Sequence, residues 1–267
     1  MNAPPFEFSR RPIHVGLMVP ANNTTMEPEI LGWLPPGSQC TTLRIPRGKG
    51  LLTEETLPAY KEAAVELSQS FKGKGIDIIA YGCTAAGFIL GPKGDAEIAA
   101  RLSESTGLPV VTTARAMMLA LADVGATQIS LLTPYQDDVN TRLKAFLGSE
   151  SIEVKHFDSF YAEDVIALGK ITEAQVHERA CTLLQDDVQA LFIACSQLPT
   201  LGVVKPLSQL WGKPVLSSIQ VTAHYALQAL IVRPSIQTDN FGSFIIQSIK
   251  KRPCFQHGPL KIDQMKS

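Results

Sequence analysis

Short apolar runs rich in β-branched residues alternate with longer stretches whose apolar positions recur every three or four residues, from about residue 12 to about 230. Pro12 to Pro20, with Ile13, Val15 and Val19, reads as a buried strand ending in a polar loop, Asn22 to Thr25, suited to turns and helix N-caps. Between Thr53 and Phe71, the residues Leu57, Tyr60, Ala64, Leu67 and Phe71 fall on one helical face. Glu54 and Glu55 stand in its first turn, and Gly73 and Gly75 lie beyond its end. Ile76 to Tyr81 follows as a near-continuous apolar run with Asp77 as its only charge, the pattern of a strand covered on both faces. The same reading places helices near 95–105, 114–124, 137–147, 162–168 and 173–184. It places strands near 109–112, 128–133, 152–157 and 190–194, and further αβα structure to about 230. Strands spaced by amphipathic helices predict an α/β fold with parallel sheets and helices outside them.

An internal repeat turns this pattern into two units. The segment 14–20 (HVGLMVP) resembles 128–134 (QISLLTP), 77–83 (DIIAYGC) resembles 189–195 (QALFIAC), and 107–113 (GLPVVTT) resembles 212–218 (GKPVLSS). Three matches in the same order predict two similar α/β halves, residues 12–112 and 113–230, with helix exchange between them. A pseudo-two-fold axis relating the halves places the active site in the cleft between them. Residues 231–267 then form a C-terminal extension, where Lys250, Lys251, Arg252, Lys261 and Lys266 against Asp263 read as a solvated basic tail.

Composition narrows the function classes. Twenty-four Lys+Arg against twenty-five Asp+Glu leave a net charge of −1, so there is no basic field to hold nucleic acid or an anionic membrane. No apolar run approaches the roughly 18 to 20 residues of a bilayer span, and the N-terminus lacks the layout of a secretory leader, so a cytoplasmic chain is expected. Five cysteines are an odd number, without a Cys-x-x-Cys pair or a zinc-like His/Cys cluster. Free thiols and no metal are therefore expected.

Two of those thiols, Cys83 and Cys195, occupy the repeated position at the carboxyl ends of predicted strands, where open parallel sheets bind ligands. A cysteine at a strand end is commonly a small core residue. The duplication favours a pair facing each other across a small dianion, with a helix starting at Thr84 lowering the pKa of Cys83. Cys40, Cys181 and Cys254 lack this symmetry and read as packing or surface residues.

The segments 19–27 (VPANNTTME), 81–86 (YGCTAA) and 193–199 (IACSQLP) resemble the signature segments of maleate cis-trans isomerases. These isomerases belong with arylmalonate decarboxylases to the aspartate/glutamate racemase superfamily. The segment 133–143 (TPYQDDVNTRL) is similar to one that isomerase and decarboxylase share. The resemblance covers about 13–230 and implies cofactor-free isomerisation of maleate, or a related cis-enedioate, to fumarate. Cys83 would add to one alkene carbon and Cys195 would protonate the other, giving a succinyl-thioether. Asn23, with Asn22 nearby, would hold one carboxylate. Thr84 and Tyr135 would donate through hydroxyls, helped by backbone N–H groups of Thr84, Ala85, Ser196 and Gln197. Where isomerases carry an Asn for the second carboxylate this chain has Val165, as in the decarboxylase branch, which implies a less polar substrate end. The alternatives are an arylmalonate-type decarboxylase using Cys195 as proton donor, an amino-acid racemase, and a non-catalytic diacid-binding protein. The implied partners are a small dicarboxylate and a second copy of the chain, as a homodimer.

Overall fold

The structure, a computed structural model, describes residues 11–47 and 52–231, all within one compact unit. Four strands, β1 (His14–Pro20), β2 (Gln39–Ile45), β3 (Ile78–Tyr81) and β4 (Val110–Thr112), form a parallel sheet in the order β2-β1-β3-β4. Four more, β5 (Gln128–Thr133), β6 (Glu153–Ser159), β7 (Ala190–Ile193) and β8 (Val215–Ser217), form a second parallel sheet in the equivalent order β6-β5-β7-β8. The three repeated sequence segments thus fall on strands of equal rank. The central strands β3 and β7 are fully buried, which is why they read as unbroken apolar runs rather than alternating ones.

The helices are α1 (Met26–Trp33), α2 (Leu57–Ser68), α3 (Thr84–Phe88), α4 (Gly91–Thr106), α5 (Thr113–Asp123), α6 (Asp137–Gly148), α7 (Val165–Gly169), α8 (Glu173–Thr182), α9 (Val204–Trp211) and α10 (Ser218–Ile231). None of the described helices is long and apolar enough to cross a membrane. The helix expected from Thr53 begins at Leu57 instead. Thr53 and Thr56 exchange backbone and hydroxyl hydrogen bonds that hold the preceding residues in a turn, and the far end tightens into a 3₁₀ turn over Gln69–Phe71. Two elements had no counterpart in the sequence pattern: the eight-residue α1 and the edge strand β2, whose residues are mostly half-buried or exposed.

The last helix does not stay with its own sheet. Having left β8, α10 lies against α1, β3 and β4 of the first half and against α5, the helix that follows β4. Thr222 Oγ1 meets Thr113 Oγ1 at 3.1 Å, and the Tyr225 hydroxyl donates to Asp123 at 2.7 Å. The C-terminal extension expected from the sequence, and Cys254 within it, lie outside the described residues.

Candidate active site

In each sheet the chain order reverses beside the central strand, between β1 and β3 and between β5 and β7, and the loops leaving those strands open a crevice. All four loops line one cavity of about 40 Å³: Pro20, Asn22 and Asn23 after β1, Cys83 to Ala85 after β3, Tyr135 after β5, and Cys195 to Gln197 after β7. Thus the two cysteines open into the same space, as do Asn22, Asn23, Thr84, Ala85, Tyr135, Ser196 and Gln197. Val165 is not among the lining residues. Asp164 caps α7 by accepting from the N–H groups of Ile166 and Ala167, and the helix presents Leu168, not Val165, to the cavity.

The polar lining divides into groups that hold the two halves together and groups aimed at the space. Asn23 is of the first kind. Its amide donates to Ser196 O and Oγ at 3.1 and 3.2 Å, and its carbonyl accepts from the N–H groups of Thr25 and Met26. The carboxylate-holding role expected of Asn23 therefore meets a side chain with no capacity left. The Asn22 Oδ1, in contrast, is buried without a protein partner. Ser196 donates its hydroxyl to Gly82 O at 2.7 Å, and Gln197 exchanges side-chain bonds with Thr24, so these two offer the cavity backbone rather than side chain. Thr84 donates its hydroxyl to Ser218 Oγ at 3.2 Å, which removes it as the expected hydroxyl donor to a carboxylate. Tyr135 keeps that role open. Its buried hydroxyl lies within electrostatic reach of Thr84 and both cysteines but completes no hydrogen bond of good geometry with any of them.

Both thiols are pushed up from their ordinary pKa, and for both the first cause is burial. Cys195 rises to about 11 against the opposing pull of the Gln197 N–H, which lies 3.4 Å from its sulfur, and of Tyr135. It is therefore a protonated thiol at neutral pH, suited to donate a proton. For Cys83, the N–H groups of Ala86 and Ala85, the Arg47 guanidinium and the Tyr60 hydroxyl pull the other way without overcoming burial. The start of α3 thus pulls the pKa down as expected, but this five-residue helix is outweighed by the burial of Cys83, which is 5% exposed.

The two cysteines also differ in backbone. Cys83 has an ordinary extended conformation at φ −122°, whereas Cys195 sits at φ 132°, a region that side chains with a Cβ rarely adopt. Its N–H donates to Ser218 Oγ at 3.0 Å, which helps to hold it there. Glycine should relieve this strain, so Cys195→Gly is expected to be more stable than Cys195→Ala by about 1 kcal/mol. At Cys83, the N-cap of α3 with ordinary φ, no strain is relieved, and glycine and alanine should differ by less than about 0.5 kcal/mol. Chemical denaturation of the four variants checks the contrast.

Several lining or supporting residues were missed by sequence reasoning. Arg47, two residues past β2, is the cation among the described lining residues, which include no Asp or Glu. Leu52, Val139 and Leu168 make an apolar wall. Tyr60, on α2, reaches Cys83, and Ser218, at the head of α10, joins Thr84 to the Cys195 backbone. For Ser218 a signal existed, since it is the repeat partner of Thr113.

A family model described as arylmalonate decarboxylase matches residues 15–239. A maleate isomerase of Geobacillus stearothermophilus is 26% identical over 243 residues, covering 86% of this chain and 96% of that protein. An arylmalonate decarboxylase of Bordetella bronchiseptica is 28% identical over 173 residues, covering 64% and 72%. Among solved structures, a mutant maleate cis-trans isomerase of Nocardia farcinica with a covalently bound succinylcysteine intermediate superposes with a TM-score of 0.74 at 24% identity, covering 83% of this chain and 94% of that one. With two four-stranded parallel sheets in equivalent order and one cavity at their switch points, this chain belongs to the arylmalonate decarboxylase family.

Proposed function

We propose that the protein is a cofactor-independent isomerase that converts maleate, or a related cis-enedioate, to the trans isomer through a covalent adduct on Cys83. The observation that carries this reading is the presence of two thiols, from equivalent loops of the two halves, in one small cavity whose described lining residues include a cation and no carboxylate. A cavity of that size and charge suits a compact anion.

Cys83, a thiol at rest, first gives up its proton to water, helped by the Arg47 charge and the Ala85 and Ala86 N–H groups that oppose burial. Its thiolate then adds to one alkene carbon, and the displaced π electrons pass to the adjacent carbon and its carboxylate. Asn22, Tyr135 and the backbone of the loops surround that carboxylate as its charge grows. Cys195, protonated at neutral pH, gives its proton to the adjacent carbon. The former double bond is now single and rotates. The Cys195 thiolate then removes the proton, the double bond re-forms, and the Cys83 thiolate leaves.

Maleate incubated with the protein in metal-chelated buffer should give fumarate by proton NMR, and Cys83→Ala should give none. Absence of conversion by the wild type overturns the proposal.

A second reading is decarboxylation of a disubstituted malonate, favoured by the apolar wall of Leu52, Val139 and Leu168. It requires Cys195 alone. Carbon dioxide release from phenylmalonate that survives Cys83→Ala and ends with Cys195→Ala selects it.

A further inference from the structure

β2 runs parallel to β1 with Ile45 opposite Pro20. Arg47, two residues beyond Ile45, therefore arrives at the same edge of the sheet as Asn22, two residues beyond Pro20. Both residues line the cavity. The lining is also polarised. The Arg47 charge is felt at Cys83 and at Tyr60 beside it, while the polar groups felt at Cys195 are Gln197, Tyr135 and Leu198.

A cis-enedioate carries one carboxylate on each alkene carbon. The carboxylate beside the protonated carbon takes up charge during addition and sits with Tyr135. The other, on the carbon that bonds to sulfur, needs an anchor on the Cys83 side. Arg47 is the positive charge among the described lining residues, and its charge acts on Cys83.

Resting on the isomerase reading above, we propose that Arg47 holds the carboxylate of the carbon attacked by Cys83, and so restricts the substrate to molecules charged at both ends. The same guanidinium is the counter-ion of the attacking thiolate. During rotation the sulfur-bound end stays fixed by the thioether and by Arg47, and the other end turns. A guanidinium fork can grip one carboxylate through two parallel bonds, which an asparagine amide in the same place cannot do with full charge.

The test compares maleate with its monoamide. Arg47→Gln should raise KM for maleate by about tenfold or more, the size of one lost charge-assisted bond, with a smaller change in kcat. It should narrow the preference for maleate over its monoamide, which has a single carboxylate to share between the two ends of the cavity. Without substrate, alkylation of Cys83 by iodoacetamide, followed by peptide mass spectrometry, should slow severalfold at about pH 7, because the thiolate loses its counter-ion. Arg47→Lys should restore the alkylation rate and only part of the KM. Equal changes for maleate and monoamide, or an unchanged alkylation rate, overturn the proposal. If the wild type fails to isomerise maleate, the isomerase reading falls, yet Arg47 is still decided: maleate should protect Cys83 from alkylation in the wild type and fail to do so in Arg47→Gln.

Discussion

Cys195→Ser is expected to cut turnover of maleate by about four orders of magnitude and to accumulate a succinyl adduct on Cys83. The serine hydroxyl can pass a solvent proton to the adjacent carbon, so addition still completes. Its alkoxide is far too basic to be present, so the proton cannot be taken back and the thioether cannot break down. Intact-mass and peptide mass spectrometry should find one maleate equivalent on Cys83 and none on Cys40 or Cys181. Cys83→Ala should lose turnover to a similar extent with no adduct anywhere. If the adduct forms on Cys195, in the Cys83 variant, the roles of the two thiols are exchanged. Burial raises both thiols, Cys195 to a pKa of about 11; the asymmetry expected here rests on the Arg47 charge, which opposes burial at Cys83.

The second large effect lies behind the site. Asp95, on α4, is 3% exposed and accepts from Thr112 Oγ1 at 2.7 Å, while its other oxygen is buried without a partner beside Gly87. Burial pushes its carboxyl up to about 7, against the weaker pull of Thr112, Arg115 and Lys61. The folded state therefore binds more protons than the unfolded chain between about pH 4 and pH 7, and stability falls as pH rises through that window. A carboxyl raised that far above its ordinary value accounts for about 4 kcal/mol as an upper bound. Asp95→Asn keeps an acceptor for Thr112 and removes the titration. Its unfolding free energy should draw ahead of wild type as pH rises through the window, by on the order of 2 kcal/mol at about pH 8, and should converge with wild type near pH 4. Other shifted groups, such as His224 lowered to about 4 by burial, act on both proteins alike. Urea denaturation at several pH values checks this, and a difference between the two proteins that stays constant from about pH 4 to about pH 8 contradicts it.

Much of the architecture was legible because its signals are local. The strand β5 was placed at its observed bounds, 128–133, and α6 within one residue, since the apolar periods change sharply at Thr133 and Asp137. The repeat marked Cys83 and Cys195 as equivalent, and the structure brings both to one cavity. What escaped was carried by tertiary context. β2 is an edge strand whose residues Gln39, Cys40, Thr41 and Thr42 give no apolar alternation, and with it went Arg47. α1 is short and contains Pro28 and Gly32, so its periodicity is thin. Asn22 and Asn23 are chemically identical neighbours; only the positions of Ser196, Thr25 and Met26 decide which amide is spent on holding the halves together. Tyr60 falls in the sequence pattern as one more residue of the apolar face of α2, which it is, but its hydroxyl end acts on Cys83.

The crossing of α10 onto the first sheet has a consequence for the order in which the site is made. A chain emerging from the ribosome completes the first sheet and displays Cys83 after little more than a hundred residues. At that stage β4 and α5 lack the helix that covers them, and Thr84 lacks Ser218. Cys195 follows, but its strained backbone has no oxygen to hold its N–H until Ser218 is made. The nascent protein thus carries both sulfurs before the contacts that shape their pocket exist, and the pocket is completed only when synthesis of the described fold is nearly finished.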